Sequence, residues 1–173
     1  MKIKNVKKSV LSNWVTLTTN SIEYNNQVED YHSFELHDYT SIIAINNRRE
    51  IVLVEQFRPA VNKNTLELPG GIVDSEEGPK QTAIKELFEE TGYEIMGDVK
   101  LIGKIDVDYG RINNKAFGYF TEKINLVRDR KNNEGIKTVT LEIDQCLNMA
   151  LNSEFTHSPH LSFLLIAKIK ELI

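Results

Sequence analysis

Three glutamates, Glu86, Glu89 and Glu90, fall three and four residues apart between Pro79 and Gly92, and no other stretch constrains the chain as tightly. Pro79 suits the first turn of a helix and Gly92 the left-handed residue that ends one, so residues 79–90 are expected to form a helix. On a helix that spacing puts the three carboxylates on one face. Like charges so placed repel by roughly 0.2–0.5 kcal/mol per pair. They also occupy the last turn, where the helix dipole is already negative and cations are preferred. Ala83, Ile84, Leu87 and Phe88 form an apolar stripe opposite them, which must be buried. A helix held in a core and carrying a self-repelling acidic face is an arrangement that a bound divalent cation would stabilise.

The flanking pattern is mostly strands. Residues 15–24, 31–36, 41–45 and 51–57 read as strands separated by asparagine-rich turns at Asn25-Asn26 and Asn46-Asn47. Residues 42–45 and 51–54 are unbroken apolar runs, as expected of strands buried on both faces. After the helix come strands at 99–107 and 115–123 joined by the polar loop 108–114. A charged loop, 128–135, then leads to a strand at 136–141 and to helices at 144–151 and 159–172. Helices on both faces of such strands make an α/β/α sandwich with a mixed central sheet, preceded by an N-terminal antiparallel strand region. With no repeat or Pro/Gly-rich linker, 173 residues are expected to form a single domain over 1–173.

Composition excludes several classes. A net charge of −4 offers no general attraction to nucleic acid or acidic lipid. No apolar run approaches the roughly 20 residues of a membrane span, and residues 1–4 lead into no signal-peptide core. The one cysteine, Cys146, excludes an internal disulfide framework and cannot make a zinc site alone, which points to a reducing cytoplasm. Its neighbours Leu147, Met149 and Ala150 imply burial on a helix face. His157 and His160 flank Ser158-Pro159, read as the N-cap and first residue of the last helix rather than as a metal pair. His32 and His37 read as surface or packing residues.

Written as spacing, the acidic segment is Gly71-x5-Glu77-x7-Lys85-Glu86-Leu87-x-Glu89-Glu90-x-Gly92-Tyr93. It resembles the signature of the Nudix hydrolases, Gly-x5-Glu-x7-Arg-Glu-U-x-Glu-Glu-x-Gly-U with U bulky and apolar. Six glycine and glutamate positions agree, which at average residue usage happens by chance at about one start position in ten million. The resemblance implies Mg²⁺ or Mn²⁺ held by Glu86 and Glu90, with the carbonyl of Gly70 completing the shell. Hard oxygen donors suit these ions, and the turn Leu68-Pro69-Gly70-Gly71 lets the backbone come close. It implies Glu89 as a further ligand or as the group that orients water, and Glu77 as a brace between loop and helix. Lys85 stands where the family has arginine. An ammonium is a point charge that cannot copy a two-pronged contact, so the brace is expected to be less rigid.

A second stretch narrows the resemblance. Val54-Glu55-Gln56-Phe57-Arg58 followed by Leu66-Glu67-Leu68-Pro69-Gly70-Gly71 is similar to the ADP-ribose and nucleoside-diphosphate-sugar pyrophosphatases. The similarity implies that Arg58 contacts diphosphate or braces the site, and that Glu67 contacts substrate or the metal network. Asn133-Glu134-Gly135-Ile136 resembles the loop that brings a late glutamate to the site, making Glu134 the group that orients or deprotonates water. In the loop 108–114, Arg111 could pair with phosphate and Tyr109 stack on a base or sugar, or both could be ordinary turn residues. The proline that this branch often carries beyond the signature is missing, which leaves substrate identity weaker than reaction type. Trp14 is either a stacking residue or a core or interface anchor.

The resulting expectation is a Nudix pyrophosphatase acting on a small nucleoside diphosphate derivative, without nucleic-acid or membrane partners. By analogy with that branch it would be a homodimer exchanging N-terminal strands of about residues 1–40. The alternative is a Nudix-fold nucleotide-binding or sensor domain with little or no turnover.

Overall fold

The computed structural model describes residues 1–128 and 135–173. By contact they divide into two units, one formed by 1–38 with 106–115 and the other by 39–105 with 116–173. In the first, β1 (Lys2–Val10), β2 (Val15–Tyr24) and β3 (Gln27–Leu36) form an antiparallel sheet in that order. Tyr24 pairs with Gln27 across Asn25 and Asn26, whose φ values of 50° and 60° are the paired left-handed conformation of a two-residue hairpin. A turn this short starts β3 four residues earlier than its apolar pattern suggested. β1 was not anticipated: it is lysine-rich and largely exposed, and a register shift between Ile3 and Asn5 breaks its alternation. Residues of the 106–115 segment run beside β3. The Phe34 N–H donates to the Arg111 carbonyl at 2.7 Å, and the Asn113 N–H donates to the Phe34 carbonyl at 3.3 Å.

The second unit begins with β4 (Tyr39–Ala44), β5 (Glu50–Arg58), β6 (Lys63–Glu67) and β7 (Gly70–Ile72), followed by α1 (Gly78–Thr91). β8 (Tyr93–Ile95), β9 (Lys100–Asp106), β10 (Lys115–Thr121), β11 (Ile124–Leu126) and β12 (Ile136–Glu142) precede α2 (Ile143–Leu151) and α3 (Ser158–Ile169). One sheet has the order β7-β4-β10-β9, with β4 parallel to β10 and antiparallel to β7, so it is mixed. A second has the antiparallel order β12-β5-β6, and β11 pairs with β8. The apolar runs of β4 and β5 are buried throughout, as their composition requires.

Ile42, Ala44 and Val52 pack with Ala83 and Leu87 of α1 and with Tyr119 and Ile124, which seats α1 on one face of the strands. Fully burying a leucine such as Leu87 is worth about 1.5–3 kcal/mol, more than the repulsion among the glutamates on the same helix. Gly118, one residue before Tyr119, points to the opposite face. A Cβ there would lie 2.3 Å from the Phe163 ring, so α3 closes that face and the unit is an α/β/α sandwich. α2 packs against β5 and β12. The last helix starts at Ser158 with His157 as its cap, one residue earlier than expected, and no side chain caps it. It ends at Ile169, short of the expected 172, and Glu171 turns left-handed at φ 55°.

Candidate active site

α1 delivers its carboxylates to the glycine turn because both ends of the helix are fixed. Pro79 lies in its first turn, and Gly92 ends it at φ 75° with its N–H donating to the Phe88 carbonyl at 2.9 Å. Opposite, β7 pairs with β4 so that Gly70 faces Ser41 and Gly71 faces Thr40. The Gly70 N–H donates to Glu90 Oε2 at 3.0 Å. A Cβ at Gly71 would stand 2.5 Å from Glu86 Oε1, so any side chain there would push that carboxylate away from the turn. Burial pushes the Glu90 carboxyl up to about 8; the Gly70 N–H opposes this and the Glu86 charge adds to it. Burial likewise raises Glu86, with Glu89 adding repulsion.

Glu89 itself is exposed. Lys85 Nζ lies 3.9 Å from Glu77 Oε2, both side chains near half exposed, so this pair contributes only about 0–1 kcal/mol. Among the described residues no three histidine, cysteine or acidic side chains converge as a preformed metal cage. What converges is two desolvated, mutually repelling carboxylates on an open backbone turn. That donor set suits a hard dication sharing its shell with a ligand's own oxygens.

Beside it, Arg58 at the end of β5 and Glu67 at the end of β6 face each other. Arg58 Nε donates to Glu67 Oε1 and Nη2 to Oε2, both at 2.7 Å, and Thr65 Oγ1 donates to Oε1 at 2.6 Å. Glu67 is 4% exposed while the Arg58 side chain is 42% exposed, so a buried carboxylate is held two-pronged by a guanidinium that still reaches solvent. Burial would raise the Glu67 carboxyl, but the Arg58 and Thr65 hydrogen bonds outweigh it and hold the group below the usual carboxylate range. The pair lines a cleft of about 420 Å³ together with Tyr39, Lys63, Thr65 and His157.

Tyr39 escaped the sequence reading, and His157 and His160 were weighed there only as a metal pair. Tyr39 lines the cleft, and its Oη lies 2.9 Å from Nε2 of the wholly buried His160. His160 Nδ1 accepts the Leu68 N–H at 3.2 Å. Burial holds the imidazole well below its ordinary range, and hence neutral. His157 sits edge-on to His160 with ring centroids 4.0 Å apart. The available signal for the histidines was their His-x-x-His spacing across the start of the last helix.

Other residues singled out in the sequence stand on different elements. Arg111 belongs to the first unit, where Nη1 donates to the His32 carbonyl at 2.8 Å and the guanidinium lies 4.6 Å from the centre of the Tyr31 ring. Tyr109 is almost fully exposed, and Trp14 is exposed with only an edge contact to His37, so Trp14 is no core anchor. Cys146 is buried as expected, and burial pushes its thiol up to about 11. Glu134 lies outside the described residues.

A family model described as the NUDIX domain matches residues 35–151. The methanol dehydrogenase activator of Bacillus methanolicus is 48% identical over 54 residues, which are 31% of this chain and 29% of that protein. The ADP-ribose pyrophosphatase of Bacillus subtilis (strain 168) is 24% identical over 120 residues, 66% of this chain and 63% of that one. The ADP-sugar pyrophosphatase of Mus musculus is 46% identical over 60 residues, 32% and 28% of the two chains. The chain thus spans less than two thirds of the length of each of these relatives. Among solved structures, an ADP compounds hydrolase shares the fold with a TM-score of 0.80 at 16% identity, covering 96% of this chain and 91% of that chain.

Proposed function

The chain belongs to the NUDIX domain family, and on that premise we propose that it is a metal-dependent hydrolase of the diphosphate linkage in a nucleoside diphosphate sugar of the ADP-ribose kind. The observation that carries this reading is the pair of half-buried carboxylates, Glu86 and Glu90, against the Gly70-Gly71 turn next to the cleft lined by Arg58 and Glu67. The names of the Bacillus subtilis and mouse relatives support the substrate class.

Glu86 and Glu90, with the Gly70 carbonyl, would hold Mg²⁺ or Mn²⁺. When bound, such an ion neutralises phosphoryl oxygens and orients the group for attack. Glu89, exposed on the same helix, is assigned to orient water or take its proton, together with Glu134, whose assignment rests on the sequence resemblance alone. The water oxygen bonds to one phosphorus as the bridging P–O bond breaks, and two monophosphates leave. The Arg58–Glu67 pair stiffens the cleft wall and turns the remaining guanidinium N–H groups toward the substrate, while Glu77 and Lys85 brace the loop against α1.

The test is incubation with ADP-ribose and with GDP-mannose in Mg²⁺ or Mn²⁺, with products separated by chromatography. AMP and ribose 5-phosphate from ADP-ribose, abolished in Glu90→Gln, are expected. Binding without products under either metal would instead establish a nucleotide-binding or sensor domain.

A further inference from the structure

Tyr39, which neither the signature nor the cleft-pair resemblance includes, stands between the two halves of the site. Its backbone pairs with Ile72, one residue beyond the glycine turn, while its ring lines the Arg58–Glu67 cleft. The direction of its hydroxyl hydrogen follows from a chain of three groups. A backbone N–H can only donate, so His160 Nδ1, 3.2 Å from the Leu68 nitrogen, must present a lone pair. A protonated ring would set a second hydrogen against that N–H, so the geometry requires the neutral imidazole with its proton on Nε2. Nε2 therefore donates to Tyr39 Oη, 2.9 Å away, and the phenol is the acceptor in that contact. Its own hydrogen cannot point at His160. Among the described residues the Tyr39 hydroxyl makes no other hydrogen bond.

The O–H is thus left without a protein acceptor on a half-buried side chain that lines the cleft, where an oxygen of a bound ligand can take it up. Three carboxylates, Glu67, Glu90 and Glu86, lie within electrostatic reach of the phenol, and Arg58 is already committed to Glu67. A neutral O–H is a donor that can meet an anionic oxygen here without first breaking an ion pair. We propose that Tyr39 is a substrate-binding residue whose O–H donates to a phosphoryl oxygen of the diphosphate where it passes from the carboxylate turn into the cleft, and that His160 is the positioning residue that fixes this direction. The inference rests on the diphosphate reading given above. Replacing Tyr39 by phenylalanine keeps the ring but removes both the free O–H and the acceptor of the His160 Nε2–H; replacing His160 by glutamine keeps one acceptor and one donor, whereas leucine removes both.

The probe is the non-hydrolysable α,β-methylene analogue of ADP-ribose, titrated calorimetrically in Mg²⁺ into wild type, Tyr39→Phe, His160→Gln and His160→Leu, each checked by thermal unfolding. A lost hydrogen bond to a charged group predicts a Kd raised about tenfold or more in Tyr39→Phe. The same loss is expected in His160→Leu, with His160→Gln keeping most of the wild-type affinity. A Tyr39→Phe Kd within about twofold of wild type overturns the proposal. If Tyr39→Phe does not fold, equal affinities in the two His160 variants overturn it instead. Wild type that binds the analogue but never hydrolyses ADP-ribose refutes the hydrolase reading while the binding comparison still judges Tyr39, and wild type that fails to bind refutes both.

Discussion

Glu90 has its carboxyl pushed from the usual 4.5 up to about 8 by burial, so the metal-free folded protein keeps a proton that the unfolded chain releases between those values. Stability from this group is therefore fully present below about pH 4.5 and is lost as pH rises through about 8. Thermal unfolding of the metal-free protein should shift to lower temperature across that window, and Glu90→Gln should flatten the shift. An undiminished slope in the variant would show that Glu90 is not the group responsible. The signature residues were legible because their spacing fixes their places on α1 and its turn. Tyr39 and His160 were not: they lie 121 residues apart, and only folding makes them partners. The partners of Arg111 were hidden in the same way, since a loop arginine gives no hint that β3 will supply a carbonyl and a ring beside it.

α1 is positioned by its end as much as by its buried face. At Gly92, φ is 75° and an added Cβ would meet the Arg128 carbonyl oxygen at 1.9 Å. Gly92→Ala should therefore lower stability by about 1–3 kcal/mol in a denaturant titration, with a loss of metal affinity as the last turn carrying Glu89 and Glu90 shifts. A variant as stable as wild type would mean that the helix end relaxes freely. Elements with a strong period or an unbroken apolar run, such as α1, β4 and β5, could be read directly. β7, β8 and β11 could not, being three residues each and too short to show a period. β1 was hidden by its lysines and its register shift.

For the whole molecule, the sandwich followed from apolar runs and amphipathic helices, whereas the 106–115 segment joining the N-terminal strands left no mark in the sequence. In the first unit the exposed Ile3 and Val6 lie on one face of the sheet and the exposed Val28 and Phe34 on the other. The homodimer that the family resemblance implies predicts twice the 19.8 kDa chain mass in light scattering, and a monomer at all concentrations would contradict it. The central claim is that Glu86 and Glu90 exist to hold a dication at a diphosphate. Its most direct test is calorimetric titration of Mn²⁺ into the protein saturated with the methylene analogue, comparing wild type with the Glu86→Gln/Glu90→Gln double variant. Saturable uptake by wild type that disappears in an equally stable double variant is the predicted result; equal uptake by both, or none by wild type, would contradict the account.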